Sequence, residues 1–515
     1  MSTRWCTAAL GAGAWLLLAV ASATADDGGA ALYATHCASC HGADRLGAIG
    51  PALLPENLGR LPRKRASAVV AAGLPATQMP AFSEILTPSQ IAAVVGHVYS
   101  PLAEVPPWGQ AEIESTRVLT PVPDSPPRYQ ADPLNLFLVV ESGDHHVTVL
   151  DGDRLEPIHR FKSRYALHGG PKFSPDGRYT YLASRDGWIT KFDIQTLSTV
   201  AEVRAGINTR NIAVSSDGRH VMVANYLPHT LVVLRAEDLG VEKVIAVADG
   251  AGRTSRVSAV YDAPPRNSFI AALKDIEEVW EIQYADEPVY YGRVHDYRVE
   301  GPPKIAERFP VRRIELDDYL DDFFFDPAYE NLIGAARNAK NGQVVNLLVG
   351  RKIADIDLAG LPHLGSGITW EHDGRQVLAT PNLKESEVTV IEMKGWKVVK
   401  RIPTLGPGFF MRSHENTPYA WVDVFFGKDR DAMHVIDKKT LEIVATLRPA
   451  PGKTAAHVEF TRDGRYALVS IWDMDGALVV YDAATLTEVK RLPMVKPSGK
   501  YNVHNKITRS AGTSH

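Results

Sequence analysis

The chain has 515 residues, a formal net charge of −4 and a composition that is 45% hydrophobic and 23% charged. That length exceeds what one compact domain ordinarily encloses, and the apolar share suffices for a large buried core. The near-balanced charge leaves no electrostatic footprint for nucleic acid, so none is expected as a partner.

The N-terminus reads as an export signal. Arg4 precedes an apolar stretch from Ala8 to Val20, and Ala23-Thr24-Ala25 has the form of a signal-peptidase site. The stretch is short for a bilayer span, although an uncleaved anchor is the alternative, and no later segment is apolar enough to cross. Residues 1–25 are therefore read as a signal peptide, which places the mature chain in the periplasm of a Gram-negative cell. Of the three cysteines, Cys6 leaves with that peptide. Only Cys37 and Cys40 remain, which excludes a disulfide-built fold.

Those two lie in Cys37-Ala38-Ser39-Cys40-His41. In an exported chain this spacing specifies a covalent c-type haem: the thiols add to the vinyl groups and His41 reaches the iron. Zinc is the competing reading, but it needs further cysteines or well-spaced histidines nearby. The sixth iron ligand is expected to be Met79, in Gln78-Met79-Pro80, with His97 as competitor; a thioether ligand raises the reduction potential and suits electron transfer. A helix is expected over 88–99, with Pro88 in its first turn and apolar residues at three- and four-residue spacing. Residues 26–105 thus read as a small all-α domain of the class I cytochrome c type. Seven prolines between Pro101 and Pro127 then oppose helix and sheet alike. Residues 106–131 read as an extended spacer on which the c domain can swing.

Residues 132–515 change to short strands, such as 136–140 and 147–150, punctuated by Asp151-Gly152 and Asp186-Gly187. A repeat runs through them. Ser174-Pro175-Asp176-Gly177-Arg178 returns at Asp217-Gly218-Arg219, Asp373-Gly374-Arg375 and Asp463-Gly464-Arg465. These spacings fit multiples of about 40–45 residues, the size of a propeller blade. A second marker, Asp-x-x-Thr-Leu, begins at Asp193, Asp437 and Asp482. The region has room for eight blades, so an all-β eight-bladed propeller is expected over a β-sandwich pair. Most of the 17 histidines sit on ordinary turns; His145, His146 and His220 read as surface residues.

Three further segments carry a resemblance. Tyr165-Ala166-Leu167-His168, Leu361-Pro362-His363-Leu364-Gly365 and the closing Lys496-Pro497-Ser498-Gly499-Lys500-Tyr501 resemble the haem d1-binding segments of the cytochrome cd1 nitrite reductase-like family. With the c domain, the resemblance covers nearly the whole mature chain and implies a d1-type propeller. It implies His168 as proximal and His363 as distal ligand of a d1 iron. It further implies His457 and Tyr501 as a catalytic pair, and Arg210 and Arg256 as holders of the macrocycle's carboxylates.

The family's nitrite reductases use two distal histidines, yet none lies between His295 and His363, and the corresponding segment reads Leu320-Asp321-Asp322-Phe323-Phe324-Phe325-Asp326. Losing a proton donor matters to nitrite reduction. A second branch lacks the c haem that Cys37–His41 specifies. The c-haem-bearing dihydro-haem d1 dehydrogenase branch fits best. It implies oxidation of a propionate of dihydro-haem d1 to the acrylate of haem d1, with electrons leaving through the c haem to an external periplasmic acceptor. Other d1-biosynthesis proteins or nitrite reductase are implied as recipients of the product. A nitrite reductase and a non-catalytic d1-haem carrier stay open as alternatives.

Overall fold

In the computed structural model, which describes residues 26–48, 50–59, 61–74, 79–104, 106–291, 305–336, 341–358 and 360–508, the N-terminal region is helical. The expected signal peptide lies outside the described residues. Helices cover Asp26–His36, Ala38–His41, Arg63–Ala72 and Pro88–Val98. The first and last cross closely because Gly29 has no Cβ to collide with the Ala93 carbonyl. Thr87 caps the last helix: its hydroxyl accepts from Gln90 N at 3.3 Å while its own N–H donates to Gln90 Oε1 at 2.8 Å, and Pro88 fills the first turn. Tyr33, Cys37, Phe82, Leu86 and Val94 form the small core. No helix among the described residues is long and apolar enough to cross a membrane.

The spacer departs from expectation, for it contains both helix and strand. Gln110–Ser115 is helical, and Val118–Leu119 pair antiparallel with Glu202 and Ala201 as a fifth strand on one blade. The prolines bracket these elements, leaving the stretch between Pro107 and Pro121 free of them. Trp108 anchors the segment: its indole N–H donates to Arg204 O at 3.0 Å and its ring lies 4.8 Å from the Arg204 guanidinium. The c domain is docked as well. Leu46, Ala52 and Leu54 pack with Ile207 and Leu227 of the propeller. Asn57 Nδ2 donates to Ile207 O at 3.2 Å, and the Arg204 guanidinium donates to the Leu46 carbonyl.

Among the described residues, eight antiparallel sheets follow, seven of four strands and one of five. The ring closes when Pro497–Asn502 pairs with Leu136–Glu141, so the first blade takes its innermost strand from the end of the chain. Both sequence markers prove to be turns. Gly177, Gly218, Gly374 and Gly464 adopt φ between +71° and +75°, where a Cβ is disfavoured, and join innermost to second strands. Asp193, Asp437 and Asp482 each accept two N–H groups of the turn between third and fourth strands. The leucines closing those turns, Leu197, Leu441 and Leu486, are left-handed at φ +54° to +59°. The apolar core lies between adjacent blades, as where Trp421, Val435, Val458 and Val469 meet. His220 is not a surface residue. It is buried, with Nδ1 2.5 Å from Glu242 Oε2 and its ring edge-on to Phe309.

Candidate active site and haem-binding region

At the c domain, Cys37 continues the first helix and a single turn carries the chain to His41, whose N–H donates to Cys37 O at 2.9 Å. The two thiols are free, so one turn presents both beside the imidazole. His41 Nδ1 lies 2.8 Å from Pro51 O; with the proton on Nδ1, that bond turns Nε2 toward a metal. Burial lowers the His41 pKa and keeps the ring neutral, the form that ligates. Met79 is half-buried against the cluster containing Cys37 and Phe82. His97 instead lies on Tyr33, ring centroids 5.3 Å apart. These residues fit a c-type haem.

In the propeller, the other candidates belong to the innermost strands or the loops entering them: His168, Arg256 and His363 precede such strands, and Arg210, His457 and Tyr501 lie within them. His168 precedes two left-handed glycines, Gly169 at φ +81° and Gly170 at φ +69°. A Cβ on Gly170 or on Gly499 would stand within 2.7 Å of the Tyr501 side chain, so two glycines make the slot for that ring. His168 Nδ1 lies 2.6 Å from Arg210 O, and Arg210 Nη1 lies 2.6 Å from His168 Nε2. Arg210 Nε also donates to Ser258 O at 3.1 Å.

His363 points its Nδ1 at Phe409 O, 2.5 Å away, which again leaves Nε2 for a ligand. Burial lowers its pKa, opposed by the nearby Asp322 charge. Asp322 accepts from Gly365 N at 2.9 Å and from the Tyr261 hydroxyl at 2.8 Å. The segment expected to supply a second distal histidine thus braces the His363 loop instead.

His457 lies in the innermost strand Ala455–Phe460, at a bulge between Ala456 and Val458. It is 1% exposed and adopts φ +52°, a strained region for a residue with a side chain. Its ring stands edge-on to Tyr501, centroids 5.1 Å apart, and 4.8 Å from Phe410. Burial, with Lys500, Arg412 and Lys506 close by, holds its pKa well below 6.5. The imidazole is therefore neutral, and its Nδ1 is buried without a hydrogen-bond partner among the described residues. Burial pushes Tyr501 up to about 12, so its phenol keeps its proton. His168, Arg210, His363, His457 and Tyr501 thus converge. Arg256 has a different setting: it forms a two-pronged ion pair with Asp275 at 2.8 and 2.5 Å and lies over Tyr226.

Four buried charges around this site carry no sequence signal: Arg412, Asp423, Glu459 and Lys500, each 3% exposed or less. Charges are rarely buried so completely without partners or a task.

The "Cytochrome D1 heme domain" family model matches residues 131–299 and 304–506. The chain belongs to the cytochrome d1 haem-domain family. Ahead of that domain, residues 24–98 match the model "Cytochrome C oxidase, cbb3-type, subunit III". A cytochrome d1-family relative, the dihydro-heme d1 dehydrogenase of Pseudomonas aeruginosa, is 56% identical over 504 residues, covering 97% of this chain and 98% of its own. A solved structure, dihydro-heme d1 dehydrogenase NirN in complex with DHE, superposes with a TM-score of 0.88 at 56% identity, covering 93% of this chain and all of that one. The nitrite reductase of Stutzerimonas stutzeri is 26% identical over 542 residues, 92% of each chain.

Proposed function

We propose that this protein is a dihydro-haem d1 dehydrogenase that converts a propionate side chain of its tetrapyrrole substrate into an acrylate. The CH2–CH2 unit becomes CH=CH, and two protons and two electrons leave. The observation that carries the reading is the contact of buried His457 with half-buried Tyr501, linked to His363 through the rings of Phe410 and Phe409. The 56%-identical relative of that name and the solved complex with DHE support it.

His168 and His363 would hold the substrate iron from its two faces, each with Nδ1 tied to a backbone carbonyl. Arg210 would take a macrocycle carboxylate. His457, neutral and with an unsatisfied Nδ1, is the group suited to accept a proton from the saturated side chain. Tyr501, protonated at neutral pH, orients that side chain or relays the second proton. When bound at Cys37, Cys40 and His41, with Met79 as sixth ligand, the c-type haem takes electrons one at a time, so an external acceptor must clear it. We place the mature protein in the periplasm, with the product passing to other d1-biosynthesis proteins or to nitrite reductase.

The test is incubation of the c-haem-loaded protein with dihydro-haem d1 and an oxidant. The bound tetrapyrrole should lose the mass of two hydrogens while its side chain becomes conjugated. Unchanged mass points to a carrier, and rapid nitric oxide formation from nitrite and a reduced donor points to a nitrite reductase.

A further inference from the structure

His457 occupies a position the sheet ladder cannot hold. It is the extra residue of the bulge between Ala456 and Val458, and its left-handed φ of +52° turns its peptide groups out of register. Both groups are taken up from neighbouring blades. Its N–H donates to Asp423 Oδ2 at 3.1 Å, and its carbonyl accepts from the Lys500 ammonium. Asp423 ends the strand Tyr419–Asp423 of the preceding blade, and Lys500 lies on the ring-closing strand.

The other oxygen of the same carboxylate has a second task. Asp423 Oδ1 accepts from Phe409 N at 2.7 Å and from Phe410 N at 3.0 Å. Phe409 presents the carbonyl that fixes His363 Nδ1 at 2.5 Å. One buried carboxylate therefore grips the peptide that orients His363 and the peptide that carries His457. The rings follow the same line: His363 on Phe409 at 4.3 Å, Phe409 on Phe410 at 4.4 Å, Phe410 on His457 at 4.8 Å.

We propose that Asp423 is a positioning residue for this site, setting His457 relative to His363 by holding both backbones through one carboxylate. The assignment rests on the functional reading above, in which His363 meets the substrate iron and His457 meets its side chain. Asp423 touches neither substrate nor reacting atoms; it acts through the two histidines.

The carboxylate can be divided by substitution. In Asp423→Asn one oxygen remains, enough to accept from Phe409 and Phe410, while the amide nitrogen opposes the His457 N–H. The c-haem-loaded Asn variant should bind dihydro-haem d1 with unchanged affinity and an unchanged absorption spectrum of the bound tetrapyrrole. Its kcat should fall at least tenfold. Asp423→Ala releases both peptides, so kcat should fall and the bound spectrum should shift as His363 loses its orientation.

A folded Ala variant with wild-type kcat and wild-type spectrum overturns the proposal. So does an Asn variant, chosen because it keeps shape and volume should Ala fail to fold, whose kcat matches wild type. A change confined to melting temperature identifies a merely structural carboxylate and also overturns it. If wild type itself leaves the substrate mass unchanged, the dehydrogenase reading fails instead. The spectral comparison of wild type with Ala, which needs only binding, then still decides whether Asp423 positions His363.

Discussion

Arg210 Nη1 lies 2.6 Å from His168 Nε2 and 3.1 Å from His168 Nδ1, so the guanidinium lies across the imidazole face. On the proposed reading, substrate binding draws Arg210 off the ring toward a macrocycle carboxylate. Arg210→Ala should speed association, since the guanidinium no longer has to leave the imidazole face, and should speed dissociation through the lost carboxylate contact. Stopped-flow binding measures both rates; an unchanged association rate contradicts the exchange.

His457→Ala and Tyr501→Phe should retain substrate and stop turnover, each lowering kcat by about 10²- to 10⁴-fold as expected for a lost general acid or base. Equilibrium binding beside single-turnover acrylate formation separates the two effects. Turnover at the wild-type rate removes either residue from the chemistry.

Asp423 gives the rate a pH signature. Burial raises its carboxyl from the ordinary 3.8 to about 6, against the pull of three N–H donors and the Lys500 charge. The titratable groups around it are Lys500, the Glu459 and Arg412 that face Lys500, and His457, which is neutral. Below about pH 6 the carboxyl takes a proton, one oxygen becomes a donor, and the grip on a peptide N–H is lost. Turnover should fall as pH drops through about 6, and this limb should vanish in Asp423→Asn. Global stability moves the other way. A raised carboxyl pKa makes a contribution fully present below the unfolded value of 3.8 and lost as pH rises through about 6. Kinetic and unfolding profiles measured together should thus slope in opposite senses.

Arg204 joins the two domains. It is 6% exposed, donates to Asp186 O at 2.8 Å and to the Leu46 carbonyl, and covers Trp108. Arg204→Ala should cost about 2–3 kcal/mol at the interface. Calorimetry should then resolve a separate c-domain transition, and reduction of the c haem by bound substrate should slow. A single unaltered transition speaks against the docking role.

Met79→Ala should abolish the absorption band of sulfur–iron ligation and lower the c-haem reduction potential. Persistence of the band transfers the ligand role away from Met79, and His97→Ala then tests the competitor.

What was legible in the sequence is what chemistry makes local. Cys37, Cys40 and His41 act within one turn, and the Asp176-Gly177 type of turn needs a left-handed glycine wherever it recurs. Asp423 left no such mark. Its partner His457 is 34 residues away, and an aspartate at a strand end is indistinguishable in sequence from a solvated one. The folded part of the spacer is hidden for a related reason: proline density across the whole segment masks the proline-free run holding Trp108 and Ile113, whose burial depends on Arg204 and the propeller beyond. His220 was taken for a surface residue because its partner Glu242 comes from a strand two further along the same blade.

The strand Pro497–Asn502 that completes the ring also carries Tyr501. That tyrosine meets Gly170 and His457 only once the last blade has come round to the first. Cys37–His41 lies at the opposite end and leaves the ribosome, and any export channel, long before. On the proposed reading, a chain without its last strand lacks Tyr501 and with it part of the tetrapyrrole site, while the Cys37–His41 turn is already made. The order in which the chain emerges would thus sort two iron macrocycles: the fixed one early, the transient one only by a finished protein.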